Sequence, residues 1–350
     1  MKKKISVVIP AYNAELFIND SVNSVINQSY RPIEIIVVND GSADSTPRIT
    51  NELFEKISEP DVEKKLIFLE ENKGAANALN IGFSCATGDY ICWLSADDMF
   101  ISNDKLSLQV VKMEKENACW SYYQDFLSGI NIQKSTQIKP SYLPHLNLLD
   151  SIFLNNPYLR FMVLLYFNPI NGSSIMIKKD CIMKYGQFDP ILRNIDADGD
   201  LWMRYSVLGL KLTRVPGSPV FYREHEHQTS KNVYQMAYQT EVVRVRLLSI
   251  LERSDLLASY LKKFFIFFAY IFFKKQYLHR PFTTIFLCEY ILKNKSRFSF
   301  IMTRMSDKML SNAYVELKKW DIDKEKIYQD MKIINESIEI TNFVRLLRNE

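Results

Sequence analysis

Residues 5–26 read ISVVIPAYNAELFINDSVNSVI and contain the two patterns that decide the fold. The first five residues form a short apolar run, which is typical of a strand buried on both faces. From about Glu15 the apolar residues recur every three or four positions, which predicts an amphipathic helix with Asn13 as its N-cap. A buried strand followed by a helix is the repeating unit of a parallel sheet covered by helices.

The same unit recurs along the chain. Further strands are predicted at residues 33–38, 66–69, 90–94, 120–123, 173–177 and 220–223, and helices at 74–86, 105–115 and 200–208, with another helix opening at 45–47. Beyond about Lys231 the segments become long and rich in Phe, Ile, Leu, Lys and Arg, with few turn signals. The sequence therefore predicts an α/β domain with a Rossmann-like, mostly parallel sheet over residues 1–230 and a mainly helical region over residues 231–350.

The composition excludes disordered and fibrous proteins, because 47% of the 350 residues are hydrophobic and 24% are charged. The formal charge of +4 is too small to indicate a nucleic acid partner. Residues 231–350 carry 21 Lys and Arg against 13 Asp and Glu, whereas residues 1–230 carry 23 against 27. The basic C-terminal part suits an anionic partner such as a lipid surface, and the acidic part suits a cation.

Cysteine spacing and the apolar runs indicate a cytoplasmic protein. The five cysteines are widely spaced and form no C-x-x-C pair, so reduced thiols are expected rather than a disulfide framework or a zinc site. The N-terminal apolar run is cut at Pro10 before it reaches the length of a secretory signal. Residues 264–273 are apolar and lie between two lysine pairs, about half the ~20 residues of a spanning helix. They suit either an internal helix or a helix lying on a membrane.

Acidic residues follow several of the predicted strands. Asp40 ends the second strand, Asp97 and Asp98 follow the fourth, and residues 196–200 contain three aspartates before a helix. Ligands of open parallel sheets bind at the carboxyl ends of the strands, and carboxylate oxygens are ligands for Mg²⁺ or Mn²⁺. The alternative for the Asp97 and Asp98 pair is that it caps a helix beginning near Ser102.

Seven stretches in this order resemble the family 2 glycosyltransferases of the GT-A fold, which are inverting enzymes of the bacterial surface-polysaccharide type that use nucleotide sugars. The stretches are VVIPAYN (7–13), VVNDGS (37–42), NKGAANALN (72–80), GDYICWLSADD (88–98), GQFD (186–189), DGDLWMR (198–204) and YREH (222–225).

The resemblance implies which residues bind the donor. The base and ribose of a sugar nucleotide would be held by Pro10, Tyr12 and Asp40, with Asn72 and Lys73 nearby. A tyrosine ring can stack on a base, and a carboxylate can accept hydrogen bonds from a uracil imide or a ribose hydroxyl.

The resemblance also implies the residues that act on the diphosphate. Asp97, supported by Asp98, would bind the metal together with His225, and Arg223 would clamp phosphate oxygens. Ser95 stands where such enzymes usually have an aspartate, so it is expected to contact the ribose and not the metal. A solvated turn is the alternative role for His225.

Asp198 aligns with the catalytic base, which takes the proton of the acceptor hydroxyl. Ala197 replaces the glutamate that usually precedes this base. Asp200 is expected to cap the following helix. Trp93, Trp202 and Phe188 are expected to lie in the core because each belongs to an apolar repeat.

The expected function is therefore transfer of a sugar, most simply from a UDP-sugar with Mn²⁺ or Mg²⁺, to a hydroxyl of a glycan or a lipid-linked saccharide. The expected location is the cytoplasm, peripheral on the inner face of the plasma membrane, with contact through residues 262–297. The departures at Ser95 and Ala197 leave an alternative, a catalytically impaired module of the same fold that binds a sugar nucleotide or a glycan.

Overall fold

The computed structural model describes residues 2–139, 155–194, 196–226, 228, 231, 233–263, 272, 275–319 and 324–348. The chain divides into two compact units that interleave along the sequence. The first unit comprises residues 1–145, 169–197 and 210–231, and the second comprises residues 146–168, 198–209 and 232–350. The division into domains at residues 1–230 and 231–350 stays a prediction.

The first unit is built on a seven-stranded sheet in the order β10-β6-β9-β4-β1-β2-β3. Its strands are β1 (Ile5–Ala11), β2 (Ile33–Asp40), β3 (Val62–Leu69), β4 (Tyr90–Trp93), β6 (Trp120–Tyr123), β9 (Met176–Lys178) and β10 (Leu212–Val215). Strands β4, β1, β2 and β3 are mutually parallel, whereas β9 runs antiparallel to both β4 and β6. The prediction of a mostly parallel α/β sheet is confirmed.

Apolar residues at most positions explain why β1 and β2 are interior strands of this sheet. Ile5, Val7, Val8 and Ile9 are fully buried, as is the run from Ile35 to Val38. Helices cover the sheet: α1 (Ile18–Ile26), α2 (Thr46–Lys56), α3 (Ala75–Cys85), α4 (Lys105–Glu116) and α6 (Lys179–Tyr185). A smaller sheet in the order β5-β11-β7-β8 contains β5 (Met99–Phe100), β7 (Phe126–Gly129), β8 (Ser135–Ile138) and β11 (Val220–Arg223).

The regular secondary structure in the described residues of the second unit is helical, with no strand among them. Its helices are α5 (Pro157–Tyr166), α7 (Ala197–Val207), α8 (Val233–Arg253), α9 (Leu257–Lys263), α10 (Pro281–Lys293), α11 (Phe300–Lys319), α12 (Lys324–Ile334) and α13 (Ile338–Arg348). The predicted helical C-terminal region is confirmed. No helix in the described part of the chain has the length and apolarity to cross a membrane. Most of the apolar stretch 264–273 lies outside the described residues.

The predicted helix cap at Asn13 is wrong, and so is the alternative in which Asp97 and Asp98 cap a helix. Helix α1 begins at Ile18, not near Glu15, and the Asn13 side chain instead accepts a hydrogen bond from the Ala43 backbone N–H at 3.0 Å. Helix α4 begins at Lys105 with Asp104 at its N-cap position, and β5 separates it from Asp97 and Asp98. Asn13 is bonded to a neighbouring loop and does not cap α1. Asp97 and Asp98 precede a short strand and not a helix.

Candidate active site

A cavity of about 240 Å³ lies in the first unit at the carboxyl ends of β1, β2 and β4. The parallel register brings the ends of these strands to one edge of the sheet, where loops expose their side chains. The cavity is lined by seven of the residues that the sequence singled out, namely Pro10, Tyr12, Asp40, Asn72, Ser95, Asp97 and His225.

Asp40 is buried and organises the loop that follows β3. Its Oδ1 accepts a hydrogen bond from the Lys73 backbone N–H at 2.9 Å, and its Oδ2 accepts one from the Gly74 N–H at 2.8 Å. Gly74 has φ +91°, and a Cβ there would lie 2.8 Å from the Arg193 Cβ. Asp40 thus holds in place the loop that carries Asn72, while its oxygens keep lone pairs for a ligand.

Asn72 and Lys73, which were also predicted to lie near the nucleotide, differ in their position relative to the cavity. Asn72 lines the cavity. The Lys73 side chain is more than half exposed and lies 3.6 Å from the Glu71 carboxylate. The contact of Lys73 with a nucleotide stays a prediction, and in the structure Lys73 contributes through its backbone.

Replacing Asp40 by Asn is expected to weaken UDP binding by about 10- to 100-fold, because one charge-assisted hydrogen bond of about 1.5–3 kcal/mol is lost and an amide N–H₂ then faces a backbone donor. Isothermal titration calorimetry with UDP measures the effect. Asp44→Asn is the matched control, since Asp44 also accepts two backbone hydrogen bonds, from Glu15 and Thr46, but does not line the cavity. Equal UDP affinities for the two variants would contradict this role of Asp40.

Tyr12 lies at the open side of the cavity and is 52% exposed, so one ring face is available for stacking. The next residue, Asn13, has φ +47° and donates its backbone N–H to the Ser42 Oγ at 2.9 Å. Together with the bond from Ala43, this ties the loop after β1 to the loop after β2 and fixes the direction of Tyr12.

Asp97 and His225 form the ionisable pair of the cavity. The Asp97 Oδ2 lies 2.9 Å from the His225 Nε2, and the imidazole packs against the Phe17 ring with centroids 4.9 Å apart. The His225 Nδ1 is buried without a hydrogen-bond partner in the described part of the chain, so the ring is in contact with Asp97 through Nε2 alone.

Asp98 lies directly beside this pair but is buried and does not line the cavity. Its carboxylate accepts hydrogen bonds from the Ser173 Oγ at 2.5 Å and from the Arg223 backbone N–H at 3.2 Å. Burial, together with the negative charge of Asp97, raises the pKa of the Asp98 carboxyl well above its usual range. A role for Asp98 in metal binding stays a prediction.

Arg223 is engaged in the protein itself. Its Nη2 lies 2.8 Å from the Asp20 Oδ2, its Nε donates to the Asp97 carbonyl at 3.0 Å, and its guanidinium lies over the Phe17 ring at 5.1 Å. Arg223 does not line the cavity and instead braces the turn that carries Asp97. The predicted phosphate clamp therefore stays a prediction.

The donor atoms of Asp97 and His225 fit a divalent cation in part. Among the described residues there is no group of three or more His, Cys, Asp and Glu side chains placed to hold a metal. Two protein ligands nevertheless suffice for Mg²⁺ or Mn²⁺ when substrate phosphates and water fill the remaining positions. Ser95 lines the cavity, with its backbone N–H donating to the Ser173 Oγ at 3.1 Å, but it offers no anionic ligand.

Several lining residues were not predicted. Phe17, Asn194 and Gln228 face the cavity, and Trp93, which was expected in the core, is only partly buried and lines it as well. The Asn194 Oδ1 accepts the Ala75 N–H at 2.6 Å, which ties this distant loop to the start of α3. Of these four residues, only Gln228 could have been predicted from the sequence, because it lies three positions after His225.

Asp198 lies in the second unit, in the first turn of α7. Its Oδ2 accepts a hydrogen bond from the Asn168 Nδ2 at 3.3 Å, and its Oδ1 accepts one from the Gly199 backbone N–H at 2.8 Å. These bonds orient the carboxylate. Its role as the base stays a prediction.

Asp200 is not a helix cap, which corrects the expectation from the sequence. It is fully buried within α7, and its carboxylate accepts hydrogen bonds from the Arg204 Nε at 2.7 Å and from the Arg246 Nη2 at 2.5 Å. Burial alone would raise the pKa of Asp200, but the two guanidinium groups hold it below its usual range. This buried ion pair fixes the start of α7 to α8 within the second unit.

Comparisons with known proteins agree with this architecture. A glycosyltransferase of Haemophilus influenzae is 32% identical over 232 residues, covering 65% of this chain and 67% of the relative. The putative teichuronic acid biosynthesis glycosyltransferase TuaG of Bacillus subtilis is 39% identical over 121 residues, covering 35% of this chain and 46% of TuaG. Six further relatives are covered over 16% to 58% of their length.

Two solved structures share the fold. S. aureus TarS residues 1–349 in complex with UDP-GlcNAc has a TM-score of 0.54 at 16% identity, covering 99% of this chain and 91% of that one. The mannosyltransferase PcManGT of Pyrobaculum calidifontis, in complex with GDP-Man and Mn²⁺, has a TM-score of 0.52 at 15% identity, covering 100% and 88%.

The sheet, the cavity at its carboxyl edge and these neighbours define the GT-A fold. The Glycosyl transferase family 2 profile matches residues 6–170, and with the Haemophilus relative this shows that the chain belongs to that family.

Proposed function

We propose that this protein is an inverting, divalent-cation-dependent glycosyltransferase that moves a sugar from a UDP-sugar to a hydroxyl of a glycan or lipid-linked saccharide. The observation that carries the proposal is the cavity in which an exposed tyrosine ring, a buried aspartate and the Asp97–His225 pair meet at the ends of parallel strands. The ligands of the two neighbouring structures, UDP-GlcNAc in one and GDP-Man with Mn²⁺ in the other, support a nucleotide sugar and a divalent cation.

The proposed roles follow from the chemistry of each group. Tyr12 stacks on the base, and Asp40 accepts hydrogen bonds from the nucleoside. Asp97 and His225 would hold the cation, which supplies positive charge to the departing diphosphate.

Asp198 acts as the proposed base. The acceptor oxygen attacks the anomeric carbon from the face opposite the diphosphate, the bond to the diphosphate breaks with its electron pair, and the hydroxyl proton passes to the Asp198 carboxylate.

For the acceptor and the cellular location we propose only a general class. The similarity to TuaG, a putative glycosyltransferase of teichuronic acid biosynthesis, supports a cell-surface polysaccharide as the product. We place the protein in the cytoplasm at the inner face of the plasma membrane, with the basic segment 262–297 in contact with anionic lipid.

Donor hydrolysis tests the proposal directly. The purified chain is incubated with UDP-glucose, UDP-galactose, UDP-GlcNAc or GDP-mannose and with Mn²⁺ or Mg²⁺, and nucleotide release is measured. We expect slow hydrolysis of a UDP-sugar, and its loss by about 10²-fold or more when EDTA removes the cation, since a bound cation stabilises the leaving charge by several kcal/mol. Added Mn²⁺ should restore the rate.

Two variants distinguish loss of the cation site from the general effect of removing a negative charge. Asp97→Asn should lose the response to Mn²⁺, whereas Asp104→Asn, an exposed aspartate at the start of α4, should keep it. A rate of donor hydrolysis that EDTA does not change would contradict the proposed dependence on a divalent cation. UDP binding without turnover of any donor would instead favour a non-catalytic binding module, which the serine at position 95 and the alanine at 197 make the second candidate.

A further inference from the structure

A second cavity, of about 350 Å³, lies wholly within the helical second unit. We call it the arginine pocket; it is lined by Ile250, Arg253, Ser254, Asn335, Ile340, Thr341, Val344, Arg345 and Arg348. Helices α8 and α13 supply most of these side chains, and the segment before α13 supplies Asn335. The volume is at the lower end of the range for small-ligand sites, about 300–1,000 Å³.

The pocket combines an apolar wall with a basic rim. Ile250 and Ile340 are 2% and 3% exposed and form part of the wall. Arg253, Arg345 and Arg348 are exposed at the rim, and no carboxylate of the described residues lines the pocket. Such a surface matches a ligand that is anionic at one end and apolar at the other.

The charge of the rim is not compensated within the described part of the chain. Neither Arg345 nor Arg348 has a carboxylate within ion-pair distance there, whereas the buried Arg246 of the same unit is bound to Asp200. Three guanidinium groups around one cavity repel one another unless an anion lies among them.

Helix ends explain only part of this arrangement. All three arginines lie in the last turns of α8 and α13, where positive side chains interact favourably with the helix dipole. The dipole does not require the two helix ends to direct their arginines to a common cavity.

We propose that the arginine pocket binds a phosphate ester that carries an apolar substituent. Guanidinium groups bind phosphate oxygens through paired hydrogen bonds, and the isoleucine wall accepts the hydrocarbon part. A soluble alkyl or prenyl phosphate and the headgroup region of an anionic lipid share this chemistry. This proposal concerns the second unit alone and does not depend on the function proposed for the cavity in the first unit.

The test compares three probes on the full chain: inorganic phosphate, hexyl phosphate, and phosphatidylcholine vesicles with and without phosphatidylglycerol. Calorimetry is expected to show hexyl phosphate binding at least 10-fold more tightly than inorganic phosphate, because only hexyl phosphate fills the apolar wall. In the double variant Arg345→Gln with Arg348→Gln, the affinity for hexyl phosphate should fall by at least 10-fold, since charge-assisted hydrogen bonds of about 1.5–3 kcal/mol each are lost.

The control is Lys318→Gln with Lys319→Gln, which removes the same charge from exposed lysines in the last turn of α11 and should leave the affinity unchanged within about twofold. Donor hydrolysis and thermal stability should be unchanged in both double variants. Vesicle binding that requires phosphatidylglycerol and Arg345 with Arg348 would support a lipid as the source of the phosphate. Hexyl phosphate affinity that is equal in the arginine variant and the wild type, or no binding of any probe, would overturn the proposal.

Discussion

Replacing Asp198 by Asn is expected to lower the rate of sugar transfer by about 10²- to 10⁴-fold, the usual contribution of a positioned general base. An amide has almost the volume of the carboxylate, and its single oxygen can still accept the hydrogen bond from the Gly199 backbone. Its N–H₂ can donate to the Asn168 side chain once that amide turns its oxygen toward it, so α7 should keep its structure. What the amide lacks is the ability to take a proton from the acceptor hydroxyl. The affinity for UDP, measured by calorimetry, should therefore stay within about twofold of the wild type.

The control for this variant is Asp180→Asn, which changes an exposed carboxylate on α6 and should leave both the rate and the affinity unchanged. If Asp198→Asn turned over at the wild-type rate, the base would have to be another group. A large loss of UDP affinity without a change in the rate at saturating donor would also contradict the assignment, because a base acts on the chemical step.

Strands β1 and β2 were predictable because each begins with a run of mainly apolar residues. The bounds predicted for β1 and β2 are correct to within two residues at each end. Strand β3 was predicted too short, at 66–69, although it begins at Val62. It lies at the edge of the sheet, where Glu63 and Lys64 are exposed and Lys65 pairs with the buried Glu34 at 2.7 Å, so its first half lacks the apolar run of a central strand.

The cavity at the carboxyl edge of the sheet was predictable where side chains follow a strand end directly. Tyr12, Asp40 and Asp97 are such residues, and the topology of a parallel sheet brings them to one edge. The positions of Asn194 and Trp93 depend on how distant loops pack together. The local sequence pattern carries no information about that packing. The same holds for Asp200, whose partner Arg246 lies 46 positions further along the chain.

Replacing Asp200 by Asn is expected to destabilise the second unit by about 3–5 kcal/mol, because it leaves the two buried guanidinium groups of Arg204 and Arg246 without their shared counter-ion. For a unit of this size the thermal midpoint should fall by about 6 to 20 °C, as measured by calorimetry or circular dichroism. The matched control is Asp255→Asn, which breaks the exposed ion pair with Arg297 and should hardly move the midpoint.

The dependence of this loss on pH distinguishes the charge of Asp200 from its shape. The folded-state pKa of Asp200 lies below the usual value, so the carboxylate stabilises the fold above the unfolded pKa of about 3.9, and this contribution disappears as the pH falls. The difference in midpoint between wild type and Asp200→Asn should therefore be constant near neutral pH and narrow below about pH 4. A difference that stayed constant into the acid range would mean that Asp200 stabilises α7 through packing and hydrogen bonds that an amide cannot form, and not through its charge.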